Sequence, residues 1–385
     1  MTPRSDIATK LFILAVSIIS FLIFSEISLR LIFPEREQKY SVAPTPSQYK
    51  FYQFDEKLGW SNAPFMNGVQ KREEFEYPIR INEYGMRNKP VKIEPRSGIF
   101  RIAFLGDSFV WGIGVPDEER FTDIIGKLPM VESLNFGVSG YSPVQYYLLL
   151  DRVIKFKPNL VVLTFCLSND FADNVHYKRY GYYKPYLILN RRGEIELRGY
   201  PIINVNKFGG KRVFSDLLLK HSRFLRLINC FIDKIRSIIG DAGLAGFNNI
   251  DIHDYDIYDY PKLSEDKKRR VGRAVLINKL ILAKIKQELD AVHIPLVIVA
   301  APTKYEYPQN SHNGSDQINT NALNVLESTA RELGIDFVDA VHHLNIHDFW
   351  LFDGHYNLQG HKKIAELIEN YLYKNYFLEL SRRPI

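Results

Sequence analysis

The sequence predicts an α/β fold in which helices cover a parallel sheet. Short segments rich in Val, Ile, Leu or Phe recur along the chain, and we expect strands at 100–105, 131–136, 159–165, 294–300 and 335–339. Near-continuous apolar runs of this kind are typical of strands that are buried on both faces. Helical segments lie between these runs, and the alternation predicts a doubly wound sheet.

Two of the expected helices have clear start signals. Ser142 is an N-cap residue followed by Pro143, which suits the first helical position. Ser264 is followed by two acidic residues, which the helix dipole favours in a first turn. The sequence therefore predicts helices over 142–156 and 264–292, and a final helix over 358–373.

Length and composition exclude several classes of protein. The 385 residues allow one large domain with an insertion, or two domains. The net charge is only +6, and the basic cluster at 267–270 has no extended basic stripe beside it, so we expect no nucleic-acid partner. Cys166 and Cys230 both lie in apolar segments, and we expect buried thiols with no metal and no cofactor.

The amino-terminal segment, residues 1–33, is expected to be a membrane anchor. Leu11–Ser25 carries no charge, and with the next four residues it approaches the ~20 residues that span a bilayer. Arg4 and Lys10 precede the run, which favours a cytoplasmic amino terminus and an extracytoplasmic (periplasmic or cell-surface) body. A cleaved signal peptide is the alternative interpretation. It is less favoured because no small-x-small cleavage site follows the run.

Two regions fall outside the α/β alternation. Residues 34–98 are interpreted as a proline-containing linker and irregular lead-in, with short strands around 77–82, and the main domain spans 99–385. An insertion at 171–263 predicts a β-hairpin over 187–197 and an amphipathic helix over 214–239. That helix has a basic face and is interpreted as core-packed, as a lid, or as a membrane-surface helix.

Three side chains suit a nucleophile, a base and a group that orients the base. Ser108 follows the first predicted strand, at the sheet edge where α/β proteins place their sites. A serine hydroxyl needs a base within hydrogen-bond reach, and His355 is the candidate. Asp353 is the candidate orienting carboxylate, with Asp348 as the alternative. The nearby histidines weaken an argument from proximity alone: His342, His343, His347 and His361.

Two further segments can supply donors for an oxyanion. Asn135–Gly140 follows the second strand, and its glycines allow the backbone to approach a ligand closely. Ser168–Asp170 follows the third strand, where the amide of Asn169 can donate. Both segments are expected at the same sheet edge as Ser108.

Together these four blocks, in this order, resemble the SGNH/GDSL hydrolase superfamily. The amino-terminal span and the segment 82–87 are similar to membrane-anchored bacterial members. The resemblance implies a flavodoxin-like three-layer α/β/α sandwich and metal-free chemistry on acyl esters. It also implies roles: Ser108 as nucleophile, His355 as base, Asp353 as its partner, and Ser108, Gly140 and Asn169 as the oxyanion hole.

The sequence departs from the family pattern in two places. One residue, Gly354, separates Asp353 from His355, where the family usually has two. Ser168 stands where the family has a glycine. The first departure bears on the orienting role of Asp353, and the second on the shape of the loop that carries Asn169.

Three functions follow from these observations. The first is a serine ester hydrolase whose substrate is an O-acyl ester of a cell-surface glycan or lipid. The second is an O-acyltransferase that uses the same side chains in envelope polysaccharide modification. The third is a binding module on a hydrolase fold, which the four intact blocks disfavour. A nucleotide-binding domain is disfavoured because no Gly-x-Gly-x-x-Gly turn follows the first strand.

Overall fold

The computed structural model describes residues 3–32, 51–180, 182–202, 252–308 and 317–377. The chain divides into two compact units, one made of Met1–Ser41 with Gly209–Asn249 and the other of Val42–Phe208 with Ile250–Ile385. The linker expected at 34–50, the helix expected at 214–239 and the buried thiol expected at Cys230 lie outside the described residues.

The described part of the first unit is one helix, α1 (Pro3–Ile32). Lys10 and Glu26 flank its uncharged run, Leu11–Ser25. At the α-helical rise, that run covers about 22 Å, whereas the hydrocarbon core of a bilayer is about 30 Å thick. Across the described ranges, no helix has the length and apolar character needed to cross a membrane, so the expected transmembrane helix is not found.

Among the described residues, the second unit contains the strands and the other helices. Its strands are, in chain order, β1 (Tyr52–Asp55), β2 (Gly59–Asn62), β3 (Asn67–Lys71), β4 (Glu76–Arg80), β5 (Phe100–Leu105), β6 (Val131–Asn135), β7 (Leu160–Cys166), β8 (Lys178–Arg179), β9 (Tyr182–Tyr183), β10 (Tyr186–Leu189), β11 (Ile195–Arg198), β12 (Leu296–Ala301) and β13 (Asp336–Asp339). Its α-helices are α2 (Ser108–Trp111), α3 (Phe121–Ile125), α4 (Pro143–Lys155), α5 (Asp170–Asp173), α6 (Glu265–Asp290), α7 (Asn321–Leu333) and α8 (Leu358–Leu372). Short 3-10 turns lie at Asp117–Glu119, Tyr260–Lys262, Lys304–Glu306 and Ile346–Asp348, and a π-helical turn at Tyr373–Phe377 follows α8.

The central sheet confirms the predicted α/β fold. Its strand order is β13-β12-β7-β5-β6, and every neighbouring pair is parallel. Counted in chain order from β6, the five strands run 2-1-3-4-5, which is the flavodoxin-like order. All five expected strands form within two residues of their predicted bounds.

Helices cover both faces of this sheet. One apolar cluster joins α4, α6 and α7 to one face, and a second joins α3 and α8 to the other. Neighbouring residues of a strand divide between the two clusters, as Ala103 and Phe104 of β5 do, because side chains alternate along a strand. The fold therefore has three layers.

The segment before β5 is more regular than the sequence indicated. β1 pairs with β2, and β3 pairs with β4, both as antiparallel hairpins. Buried Phe75, Tyr77 and Ile79 form a small third cluster with Trp111 of α2. The lead-in is thus packed against the helix that begins at Ser108. Within the insertion, the expected hairpin forms from β10 and β11.

Candidate active site

Ser108 lies at the carboxyl end of β5, where the strand order of the sheet reverses. In open α/β sheets, this is the crevice in which ligands bind. Asp107 caps α2, because its carboxylate accepts the N–H of Phe109 at 2.9 Å. Ser108 is the first helical residue, so its own N–H has no carbonyl partner within the helix. The strand and the cap fix both the hydroxyl and the N–H of this residue.

His355 contacts Ser108 across 247 residues of sequence. Its Nε2 lies 2.8 Å from Ser108 Oγ, which is hydrogen-bond distance. The loop before α8 carries the histidine, and the ring packs against Phe109 with centroids 5.0 Å apart. The structure therefore brings the candidate nucleophile and the candidate base together.

Asp353 completes the chain of contacts. Its Oδ1 bonds to His355 Nδ1 although only one residue separates the two. Gly354 makes this possible, because it adopts φ +82°, a left-handed conformation that side chains disfavour. Asp348 instead accepts from Lys363 Nζ at 2.7 Å, so Asp353 is the carboxylate that meets the histidine.

The other histidines of this region have their own partners. His342 Nδ1 contacts Asp339 Oδ2, and His343 Nδ1 contacts the carbonyl of the same residue at 2.9 Å. Buried His361 accepts the N–H of Phe121 at 3.3 Å. The backbone N–H of His347 donates to an asparagine in a 3-10 turn. The described contacts thus place His355 at the serine.

The electrostatics of the site keep His355 neutral. Burial lowers the pKa of His355, and the nearby Arg72 cation lowers it further, while the Asp107 carboxylate opposes both effects. We assign the Nδ1 tautomer from the partners: the Asp353 carboxylate only accepts, so Nδ1 carries the proton. Nε2 is then free to accept a proton from the Ser108 hydroxyl.

Gly140 lies where the chain crosses close to another segment. It has φ +76°, and a Cβ built on it would lie 2.5 Å from the ring of Tyr180. The same loop is bonded to the turn that carries Ser108, because the N–H of Val138 donates to the carbonyl of Gly106 at 3.2 Å. A glycine is therefore required here to bring the loop under the aromatic ring.

Asn169 is oriented by a buried carboxylate. Its Nδ2 donates to Asp173 Oδ2 at 3.0 Å, and Asp173 Oδ1 pairs with Arg179 at 3.2 Å. Burial alone would raise the pKa of Asp173, but Arg179, His176 and Lys184 together hold it below its usual value. An ionised acceptor fixes which way the amide points and leaves its second N–H for another ligand.

One cluster near the site has the composition of a metal site. Donor atoms of Asp173, His176 and Asp254 lie within 4.8 Å of one another. The guanidinium of Arg179 lies between the two carboxylates, at 3.2 and 2.8 Å, and supplies the positive charge there. The chemistry of this cluster is that of a buried ion-pair network.

Sequence reasoning missed the residues that support the candidate site. Arg72 pairs with Asp353 Oδ2, and Glu74 accepts the N–H of Asp353 at 2.8 Å. Asp173 supports Asn169 in the same way: it accepts from the Asn169 amide and pairs with Arg179. Only the close spacing of Asn169 and Asp173 is visible as a local signal, since one helical turn separates them.

This arrangement has the chemistry of nucleophilic catalysis. A serine hydroxyl donates to a neutral imidazole, which in turn donates to a carboxylate. Ser108, Gly140 and Asn169 follow β5, β6 and β7, which are neighbours in the sheet, so their N–H groups lie at one edge. Such a site can attack an electrophilic carbon and hold the charge that develops on its oxygen.

The comparisons with known proteins find similar solved structures. No protein-family model matches the sequence, and no curated protein matches it. A GDSL-like lipase from Bacteroides thetaiotaomicron is 14% identical over 73% of this chain and 91% of its own, with a TM-score of 0.35. A mutant acetyl-xylooligosaccharide esterase from a Geobacillus is 12% identical over 70% and 92%, also with a TM-score of 0.35. A lipase/acylhydrolase from Enterococcus faecalis is 11% identical over 72% and 96%, with a TM-score of 0.37. Because these TM-scores lie below 0.5, we argue the function from the geometry of the site.

Proposed function

We propose that this protein is a serine ester hydrolase that works through an acyl-enzyme. The observation that carries the proposal is the unbroken hydrogen-bond chain from Ser108 through His355 to Asp353. A serine that meets a buried neutral histidine, with a carboxylate on the second ring nitrogen, is an activated nucleophile. The site requires no metal for this chemistry.

The proposed reaction has two steps. Ser108 Oγ attacks the carbonyl carbon of the ester while His355 Nε2 takes the hydroxyl proton. The tetrahedral intermediate collapses, the imidazolium gives its proton to the leaving alcohol, and an acyl-serine remains. Water, activated by the same imidazole, then attacks the acyl-serine and releases the carboxylic acid. Asp353 stabilises the imidazolium that forms in each step.

The developing oxyanion needs donors in both steps. We assign them to the N–H groups of Ser108 and Gly140 and to the side-chain amide of Asn169. Removal of one such donor typically costs a hundredfold or more in rate. The contact between Asn169 and Asp173 supports the assignment, because it leaves one amide N–H unused.

The test is hydrolysis of small acyl esters by the purified chain. We expect Ser108→Ala and His355→Ala each to lower kcat/KM by about a thousandfold or more. A fluorophosphonate should label wild type at Ser108 and should label neither variant. Ser328→Ala, an exposed serine on α7, is the matched control and should behave as wild type. A folded wild type that neither hydrolyses esters nor labels would reject the proposal.

The acyl-enzyme is also the intermediate of an O-acyltransferase. Hydrolysis and transfer differ only in whether water or a sugar hydroxyl attacks the acyl-serine. Adding an oligosaccharide acceptor to the same assay measures the partition directly. We propose a glycan or lipid ester as the substrate class, and the ratio of kcat/KM for acetylated sugars to that for long-chain acyl esters distinguishes the two.

A further inference from the structure

The turn between β3 and β4 reaches the segment that carries Asp353. We call residues 72–75 the hairpin tip, and residues 350–353 the aspartate segment. The guanidinium of Arg72 pairs with Asp353 Oδ2, the oxygen that does not face His355. The Arg72 side chain is 19% exposed and the Asp353 side chain 3%, so the pair is largely shielded from water.

Glu74 binds the backbone of the aspartate segment. Its Oε1 accepts the N–H of Leu351 at 2.7 Å, and its Oε2 accepts those of Phe352 at 2.9 Å and Asp353 at 2.8 Å. One carboxylate therefore satisfies three consecutive amides. Hydrogen bonds to a charged acceptor are worth more than neutral ones, which makes this an effective anchor for an irregular segment.

Packing holds the same two pieces of chain together. The rings of Phe75 and Trp350 lie with centroids 5.6 Å apart. On the other side of the aspartate segment, Lys304 Nζ donates to the carbonyl of Leu351 at 2.6 Å. The N–H of Trp350 in turn donates to the carbonyl of His355 at 2.8 Å. A displacement of the hairpin tip would thus be transmitted to the histidine.

We propose that Arg72 and Glu74 are positioning residues for the Asp353–His355 pair, Arg72 by holding the second carboxylate oxygen and Glu74 by fixing the backbone. The inference rests on the proposed function, since the pair is given a catalytic role there. Neither residue contacts Ser108 in the described contacts, so both act through Asp353 and its segment.

Arg72 also acts on the base through its charge. The charged groups that face His355 are Asp353 on its own loop, Asp107 from the start of α2, and Arg72 from the hairpin tip. His361 of α8 lies within electrostatic range, and Glu74 and Lys304 flank the aspartate segment. The Arg72 cation disfavours the imidazolium, so its removal should raise the pH at which His355 becomes neutral and active.

The experiment compares four hairpin-tip variants with two controls on the same hairpin. The variants are Arg72→Lys, Arg72→Met, Glu74→Gln and Glu74→Ala. The controls are Lys71→Met and Glu76→Gln, because Lys71 and Glu76 pair with each other on the exposed surface. Each protein is assayed for kcat and KM against a small acyl ester over a range of pH, for the rate of fluorophosphonate labelling, and for its Tm.

For Arg72→Met we expect a fall in kcat and in labelling rate of about tenfold or more, little change in KM, and a shift of the activity midpoint to higher pH. Arg72→Lys keeps the charge but loses the fork geometry, so kcat should fall without the shift. Glu74→Ala should lower kcat more than Glu74→Gln, which keeps one acceptor. Both controls should match wild type.

Several results would overturn the inference. Wild-type kcat and pH profile in Arg72→Met would do so, and so would equal effects of the tip variants and the exposed controls. A loss that follows Tm alone, with no change of the activity midpoint in Arg72→Met, would show a merely structural role. If Arg72→Met does not fold, Arg72→Lys and Glu74→Gln decide by the fall in kcat. Inactivity of wild type itself would instead reject the proposed function.

Discussion

At the scale of single residues, the candidate site depends on groups that touch no substrate. Asn169 can donate to an oxyanion only if its amide faces the right way, and Asp173 sets that direction. Gly140 can bring its N–H to the site only because it lacks a side chain under Tyr180. Each dependence can be isolated by a substitution for which the chain offers a close control.

We expect Asp173→Asn to lower kcat for a small ester by about tenfold to a hundredfold, with a smaller effect on KM. An asparagine at this position can present its own NH2 group to Asn169, so the direction of the Asn169 amide is no longer fixed. Asp254→Asn is the control, because Asp254 pairs with the same Arg179 guanidinium at 2.8 Å. Equal losses in the two variants would assign the effect to the ion-pair network and contradict the orienting role.

Gly140→Ala should lower both stability and activity. A left-handed conformation costs any non-glycine residue about 1–2 kcal/mol, and here the new methyl group would also meet the Tyr180 ring. Gly193→Ala has the same φ problem, at +77°, but nothing lies within 4 Å of its Cβ. Comparing the two variants in urea unfolding and in kcat separates the cost of the left-handed backbone from the cost of the contact with Tyr180. Wild-type activity in Gly140→Ala would count against its proposed place in the oxyanion hole.

At the scale of elements, the short helix α2, which begins with Ser108, is stabilised by Arg87 of the segment that precedes β5. Fully buried Arg87 donates to the carbonyls of Trp111 at 3.0 Å, Gly112 at 2.6 Å and Val115 at 2.8 Å. These are carbonyls at the end of α2 and just after it, which a helix of four residues leaves unpaired. The guanidinium also stacks on the Trp111 ring, 4.6 Å from its centroid.

Arg87→Met should therefore destabilise the protein by about 3 kcal/mol or more, since it removes a buried charged donor from three carbonyls and from the Asp117 carboxylate. Denaturation in urea measures the difference. Arg80→Met, an exposed arginine of β4, should change stability by less than about 0.5 kcal/mol. A small effect of Arg87→Met would mean that water or other donors satisfy the same carbonyls.

The elements differ in how well the sequence predicted them. The strands of the central sheet are buried on both faces, so their apolar runs are visible without any knowledge of partners. β3 reads Asn-Gly-Val-Gln-Lys, and its buried residue is Gln70, so hydrophobic periodicity has nothing to detect. β3, the first strand of the hairpin that supports the aspartate segment, was hidden for this reason, whereas the strand expected around 77–82 matches β4.

At the scale of the whole molecule, the sequence predicted the parallel α/β sheet, and the structure brings Ser108, His355 and Asp353 into contact at one edge of it. Local blocks near strand ends made that possible. The support of Asp353 was beyond sequence reasoning, because Glu74 lies 277 to 279 positions before the amides that it binds. The extracytoplasmic location and the roles of the site residues stay predictions, and no described helix has the length and apolar character of the expected membrane-spanning helix.

The contact between the hairpin tip and the aspartate segment also sets an order of events during synthesis. Ribosomes add about 5–20 residues per second, so Arg72 emerges roughly 15–60 s before His355. Contacts between such distant positions are slow to form because a long loop must first close. The nascent chain can thus complete most of the sheet while its catalytic centre is still unmade. The proposed esterase activity should appear last, after the final helix has docked.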